Sequence, residues 1–169
     1  MKVIRRLLTA ITLFALLATA GCGFRLQSNY QYPEALNPLR LESADDQSEL
    51  HRLVRERLRL SGIEVVQDEK APRLWLGQDR LERSTLSLFP SGQVAEYELI
   101  YSVSSSITVG EQEPQTFNIE IRRDYLDDPR TALAKNRELE LLLGEMRAQA
   151  ADRIMRALSA TRIDEEPAH

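Results

Sequence analysis

Cys22 is the chain's single cysteine. A thiol without an internal partner cannot close a disulfide, so its chemistry must be external. What precedes it says which chemistry. Lys2, Arg5 and Arg6 are followed by an uncharged, mostly apolar run from Leu7 to Ala20, and Ala20-Gly21 sets small residues before the cysteine. That order is the layout of a secretory signal. A helix over those 14 residues would span only ~21 Å, against a hydrocarbon core of ~30 Å, which argues against a permanent transmembrane span. Residues 1–21 are therefore expected to be a removed signal peptide, with Cys22 the first residue of the mature chain.

Thr19-Ala20-Gly21-Cys22 resembles the bacterial lipobox, with Thr19 where leucine is usual. The resemblance implies an S-diacylglycerol on the Cys22 thiol and an N-acyl group on its freed amine. Gly23, in place of the aspartate that signals inner-membrane retention, implies the outer membrane. The competing reading is an ordinary signal peptide cut elsewhere, leaving a free thiol. Each buried acyl CH₂ contributes ~0.8 kcal/mol and stable anchoring needs more than one chain, a need that a multiply acylated Cys22 meets.

Elsewhere the chain is poor in chemistry. It has no G-x-S-x-G elbow, Walker loop or H-E-x-x-H. His51 and His169 are far apart in sequence and do not make a zinc site; no metal and no cofactor beyond the acyl groups is expected. The precursor holds 22 basic and 26 acidic residues. Without residues 1–21 there are 148 residues, 19 basic and 26 acidic, a net charge of −7. Such a chain lacks the basic surface expected of a nucleic-acid binder. Against that background Arg122, Arg123, Arg130, Lys135 and Arg137 form a local positive cluster. Charges more than ~8 Å apart are largely screened at physiological salt, and arginine forks suit phosphate oxygens. Two readings of the cluster stand level: an anion-binding patch, or ordinary solvated basic groups at a helix start.

The elements that must position these residues follow from periodicity. Residues 22–38 read as an extended tether, 39–160 as one domain and 161–169 as a frayed polar tail. Leu39-Arg40-Leu41 suggests a strand. Asp46 and Glu49 resemble a capping box, and Leu50, Leu53, Val54 and Leu58 recur at helical spacing up to a stop at Gly62. Ile63 to Val66 suggests the second strand of a βαβ unit. Arg73 to Phe89 reads as one long, bulged strand with Leu74, Leu76, Leu86 and Leu88 on one parity and Trp75 in the core. In Val94 to Val109, Tyr97, Leu99, Tyr101, Val103 and Ile107 alternate with polar residues, the mark of a half-buried antiparallel strand. Phe117, Ile119 and Ile121 alternate in the next. A long helix begins at Asp127-Asp128-Pro129 and carries Leu139, Leu142, Leu143, Met146, Ala150, Ile154 and Leu158 on one stripe. The fold class is α+β: a two-layer sandwich, two helices on one face of a mixed, mostly antiparallel sheet of four to five strands.

Several short stretches occur together in order: Cys22-Gly23-Phe24-Arg25-Leu26, Leu58-Arg59-Leu60-Ser61-Gly62, Gly92-Gln93-Val94-Ala95-Glu96-Tyr97, Ala132-Leu133-Ala134-Lys135 and Glu145-Met146. In this the chain resembles the LPS-assembly lipoprotein family, LptE. The resemblance implies a non-catalytic protein that sits inside and plugs the large outer-membrane β-barrel of the LPS translocon (an LptD-like partner), assists that barrel's assembly and contacts lipopolysaccharide in transit. It places Lys135 at the family's basic position for LPS contact. It also implies a basic residue in the hairpin turn, where this chain has Pro90, so Arg122, Arg123 or Arg130 would have to compensate. The competing functions are a generic envelope adaptor lipoprotein that binds no lipid, and an envelope hydrolase, against which the missing nucleophile counts.

Overall fold

The computed structural model describes residues 6, 31–126 and 132–163, with side chains of the last stretch from Lys135 onward. The elements run from a short 3-10 turn, Glu34–Leu36, through β1 (Arg40–Ser43), α1 (Glu49–Leu60), β2 (Arg73–Leu76), β3 (Arg80–Leu88), β4 (Val94–Thr108) and β5 (Gln115–Leu126) to α2 (Ala132–Ser159). Cys22, Arg130 and the expected helix start at 127–129 lie outside the described residues.

β4 organises the sheet. β5 pairs antiparallel along one side of it, from Glu96 opposite Leu126 to Ile107 opposite Gln115. Along its other side β2 and β3 lie end to end, also antiparallel. β1 then joins β2 in parallel, completing five strands. The alternation in β4 sends Leu99, Tyr101, Val103 and Ile107 into the core. Ser105 breaks the apolar series on that face, and its hydroxyl is buried without a partner. Both helices cover that face. Leu50, Val54 and Leu58 of α1 and Met146, Ala150, Ile154 and Leu158 of α2 belong to one continuous core with the strand residues. The opposite face of the sheet has no covering layer among the described residues. The sandwich, its two helices and its mixed sheet are those expected from periodicity.

Four local expectations are corrected. The N-cap of α1 is Ser48, whose Oγ accepts from the His51 amide at 3.2 Å, and not Asp46. Asp46 is already the acceptor for Ser43 Oγ at 2.9 Å. Ile63–Val66 forms no strand; it makes a single bridge between Val65 and Leu39. A polar turn then takes the chain away, with Asp68 accepting from the Lys70 and Ala71 amides, and β2 becomes the parallel partner of β1. Arg73–Phe89 is two strands, not one. At the break, the Gly77 amide donates to Ser104 O at 2.8 Å, and a Cβ on Gly77 would stand 2.7 Å from that same oxygen, so only glycine fits. Trp75 is 37% exposed. Leu74 and Leu76 take the core side of β2, and strict alternation turns Trp75 to the bare face.

Leu86 and Leu88 are exposed as well, at 49% and 59%, because beyond the break the core-facing parity is that of Leu81, opposite Tyr101, while Leu88 stands opposite Val94 on the bare-face parity. Packing also extends past both ends of the domain read from sequence. Leu36 is fully buried, Ile163 packs against the core, and Gln115 Nε2 donates to Arg162 O at 2.7 Å.

Gly77→Ala should lower the free energy of unfolding by about 1–3 kcal/mol, the usual cost of overpacking against a backbone that cannot yield. Leu76→Ala should cost about 2–5 kcal/mol. Trp75→Thr, a change beside Leu76 on the bare face, should cost under about 1 kcal/mol. Urea denaturation of the three variants measures the order directly.

Candidate functional site

Alternation along β5 decides where the basic residues go. Arg122 and Arg123 are consecutive, so they leave the sheet on opposite faces. Arg122 lies on the bare face, where Glu98 and Glu120 hold its guanidinium at 2.8 and 2.6 Å. The hydrogen bonds with Glu120 and then Glu98 raise its already high pKa further. Its charge is thus spent on two carboxylates. Arg123 shares the helix-facing parity with Ile121 and Tyr125. It is half-buried, its Nη1 donates to Arg122 O at 3.0 Å, and it makes no ion pair with a described carboxylate.

Tyr125 ties the end of β5 to the start of α2. Its hydroxyl donates to the Lys135 carbonyl at 3.1 Å. In return the Lys135 ammonium lies 5.2 Å from the centre of the Tyr125 ring, within reach of the ring's negative face. Lys135 also pairs with Glu138, one turn on, at 2.8 Å, and its side chain is 17% exposed. The structure therefore joins Tyr125 and Lys135 at one end of the sheet, sets Arg123 on the same face of β5 two residues away, and turns Arg122 to the opposite face. Arg137 is exposed on the outer side of the helix. Sequence reasoning missed Tyr125 as a site residue. Its parity with Ile121 and Arg123 was the available signal.

A second set of polar groups fixes how α2 meets the sheet. Arg147 of α2 reaches Glu49 Oε2 at 2.7 Å in the first turn of α1 and Asp79 Oδ2 at 3.3 Å in the break between β2 and β3. The Tyr101 hydroxyl donates to the same Asp79 oxygen at 2.9 Å. Burial, then the charge and hydrogen bond of Asp79, push the Tyr101 phenol far above its ordinary range. Burial works against the Arg147 charge, but the hydrogen bonds with Glu49 and Asp79 outweigh it and keep the guanidinium firmly protonated. These four residues come from α1, the Gly77–Asp79 break, β4 and α2, so no local pattern announces them.

His51 is buried and fully engaged. Arg55 Nη2 lies 2.7 Å from its Nε2. Arginine can only donate, so Nε2 accepts and the ring proton sits on Nδ1. That proton faces Ser43 Oγ at 2.8 Å, and Ser43 passes its own proton toward Asp46. Burial and then Arg55 lower the His51 pKa from 6.5, against a smaller opposing pull from Asp46 and Asp45. The arrangement is a helix-start brace. Among the described residues, no group of three His, Cys, Asp or Glu side chains is placed to hold a metal.

Comparison with known proteins places this geometry. A solved rare lipoprotein B from Shewanella oneidensis is 59% identical, covers 73% of this chain and 95% of its own, and superposes with a TM-score of 0.69. An uncharacterized lipoprotein B from Nitrosomonas europaea, 24% identical, covers 82% of this chain and 91% of its own with a TM-score of 0.61, and so shares the fold. The class is thus an envelope-type lipoprotein domain of two helices on an open mixed sheet. Among curated relatives, the LPS-assembly lipoprotein LptE of Pectobacterium atrosepticum is 36% identical over 156 residues, covering 90% of this chain and 85% of its own. That of Yersinia enterocolitica is 38% identical, covering 90% and 75%. The profile of the LptE family, described as lipopolysaccharide-assembly, matches residues 36–158. The chain belongs to that family.

The lowered His51 pKa has a defined sign. The neutral ring is favoured in the fold, so its contribution is complete above the unfolded value of 6.5 and is lost as pH falls through the lower folded value. The urea midpoint should drop between pH 7.5 and 5.5, and His51→Gln, less stable at the higher pH, should lose much of that drop. Equal losses in both proteins would remove His51 from the account.

Proposed function

We propose that this chain is an outer-membrane LPS-assembly lipoprotein that plugs and helps assemble the translocon barrel and contacts lipopolysaccharide through the joint between β5 and α2. Family membership supports the role in LPS assembly. The observation that carries the contact site is Lys135 held on Tyr125, with Arg123 on the same face of β5 two residues before that tyrosine, where the chain passes from sheet to helix.

The chemistry is recognition, not catalysis. Lys135 is positioned by Tyr125 and Glu138 before any ligand arrives, so little side-chain entropy remains to be lost on binding. Its partner Glu138 is itself open to solvent, so a lipid phosphate with more acceptor oxygens can take its place beside the ammonium. Arg123 supplies planar donors suited to the same oxygens. Arg122, neutralised on the other face by Glu98 and Glu120, is assigned no part in the contact.

The bare face of the sheet suits a barrel lumen, which is polar. Ser102, Ser104 and Ser106 run along it, Ser104 donating to Asn118 on β5, and the Arg122 ion pairs continue the surface. In this reading the Cys22 acyl groups hold the domain at the periplasmic side of the outer membrane. A generic adaptor role draws on the same polar face. It differs in requiring no LPS affinity and no barrel as principal partner after detergent extraction.

Lys135→Glu combined with Arg123→Glu should weaken binding to purified LPS at least tenfold, about 1.4 kcal/mol, while the melting temperature moves by only a few degrees. Unchanged LPS binding by the folded double variant would refute the site. Cys22→Ser should move the protein from the membrane fraction to the soluble periplasm. Retention in the membrane would refute the anchor.

A further inference from the structure

At the far end of the sheet, a cleft of ≈ 420 Å³ is lined by Arg40, Glu69, Lys70, Ala71, Arg73, Thr108 and Gly110. Its volume falls in the range of small-molecule sites, about 300–1,000 Å³. It is remote from Lys135. Tyr125, which holds Lys135, pairs with Tyr97, and Thr108 lies eleven residues further along β4, ~37 Å at ~3.4 Å per residue.

Strand register builds the cleft. Arg40 of β1 stands beside Arg73 of β2, and Arg73 stands opposite Thr108 of β4. Like charges side by side across a sheet are destabilising, so this row needs a counter-charge. The fold supplies one carboxylate for both arginines. Glu42 lies 3.3 Å from Arg40 Nε and 3.7 Å from Arg73 Nη1, and neither contact is aligned as a hydrogen bond. Arg40 Nε and Thr108 Oγ1 are both buried without a hydrogen-bond partner. Polar atoms left unsatisfied in this way are costly to a fold. Lys70 adds a third cation from the turn before β2 and makes no ion pair among the described residues. Glu69 and the shared Glu42 leave the site with a net positive charge of one. At the mouth, Gly110 turns the chain away with φ +55° and has open space where a side chain would project.

We propose that this cleft binds a phosphate group. A phosphate group is tetrahedral and anionic, and its several acceptor oxygens can take donors at once from two guanidiniums, an ammonium and a hydroxyl. A carboxylate, with two oxygens in one plane, uses fewer of them. The volume leaves room for a substituent on the phosphate, so the ligand is a phosphate ester, as on a lipid headgroup, or free phosphate. The site is independent of the Arg123–Lys135 contact proposed above.

The test titrates the full chain with inorganic phosphate and, separately, with glycerol 1-phosphate, and follows backbone amide shifts at constant ionic strength set with chloride. Saturable shifts at Ala71, Arg73, Thr108 and Gly110 are expected with at least one probe. They should weaken more than tenfold in Arg40→Gln/Arg73→Gln and several-fold in Lys70→Gln, an exposed change that keeps the test valid if the double variant unfolds. They should persist in Lys135→Glu. Tighter binding of the ester identifies a headgroup-type ligand; equal or tighter binding of inorganic phosphate identifies the free ion. Absence of saturable shifts with both probes, or shifts unaltered by Lys70→Gln, overturns the proposal.

Discussion

The structure depends on the alternation of β4. Over its fifteen residues one parity is apolar save Ser105 and the other polar save Val94 and Ile100, so the longest strand is buried on one side only. Two helices take the apolar side because α1 and α2 each carry a single apolar stripe. Every other strand is registered against β4 directly or through β2, and inherits its division into a helix-covered face and a bare one. A one-residue slip would exchange the faces and expose the core. The buried Tyr101, at the middle of β4, locks the register further, since its hydroxyl must reach Asp79.

That lock carries over to the site. Asp79 also holds Arg147, and Arg147 holds Glu49, so β4, the Gly77–Asp79 break, α1 and α2 meet at one partly buried polar cluster. The cluster fixes the rotation and height of α2 on the sheet. With that height set, the start of α2 falls beside Tyr125, and the hinge hydrogen bond to Lys135 closes. The basic contact proposed for lipopolysaccharide is thus positioned from three turns further along the helix, by groups that do not touch the ligand. The division of faces does the remaining work: it turns Arg123 toward the helix and Arg122 toward the carboxylates of the bare face.

Much of this was legible in the residues. The alternation of β4 and β5, the stripe of α2 and the stop at Gly62 are local patterns, and the architecture follows from them. Trp75 was misplaced because its apolar character outweighed the parity of Leu74 and Leu76 beside it. The break at Gly77 was missed because its cause, the approach of Ser104 O, is a contact between strands distant in sequence. The basic cluster was seen as one patch, although Arg122 and Arg123 cannot share a face of a strand. The Arg147–Asp79–Glu49–Tyr101 cluster was invisible, since its members are brought together only by the finished fold.

The contact proposed between lipopolysaccharide and the joint of β5 and α2 can be tested beside Lys135 itself. Asn136 is exposed and adjoins Lys135, so a photo-crosslinking amino acid placed there leaves Lys135, Tyr125 and Arg123 intact. Irradiated in cells, that variant should yield an adduct carrying lipopolysaccharide, and the adduct should fade when Lys135→Glu is added. No adduct from position 136, or one indifferent to Lys135→Glu, would place lipopolysaccharide elsewhere on the protein.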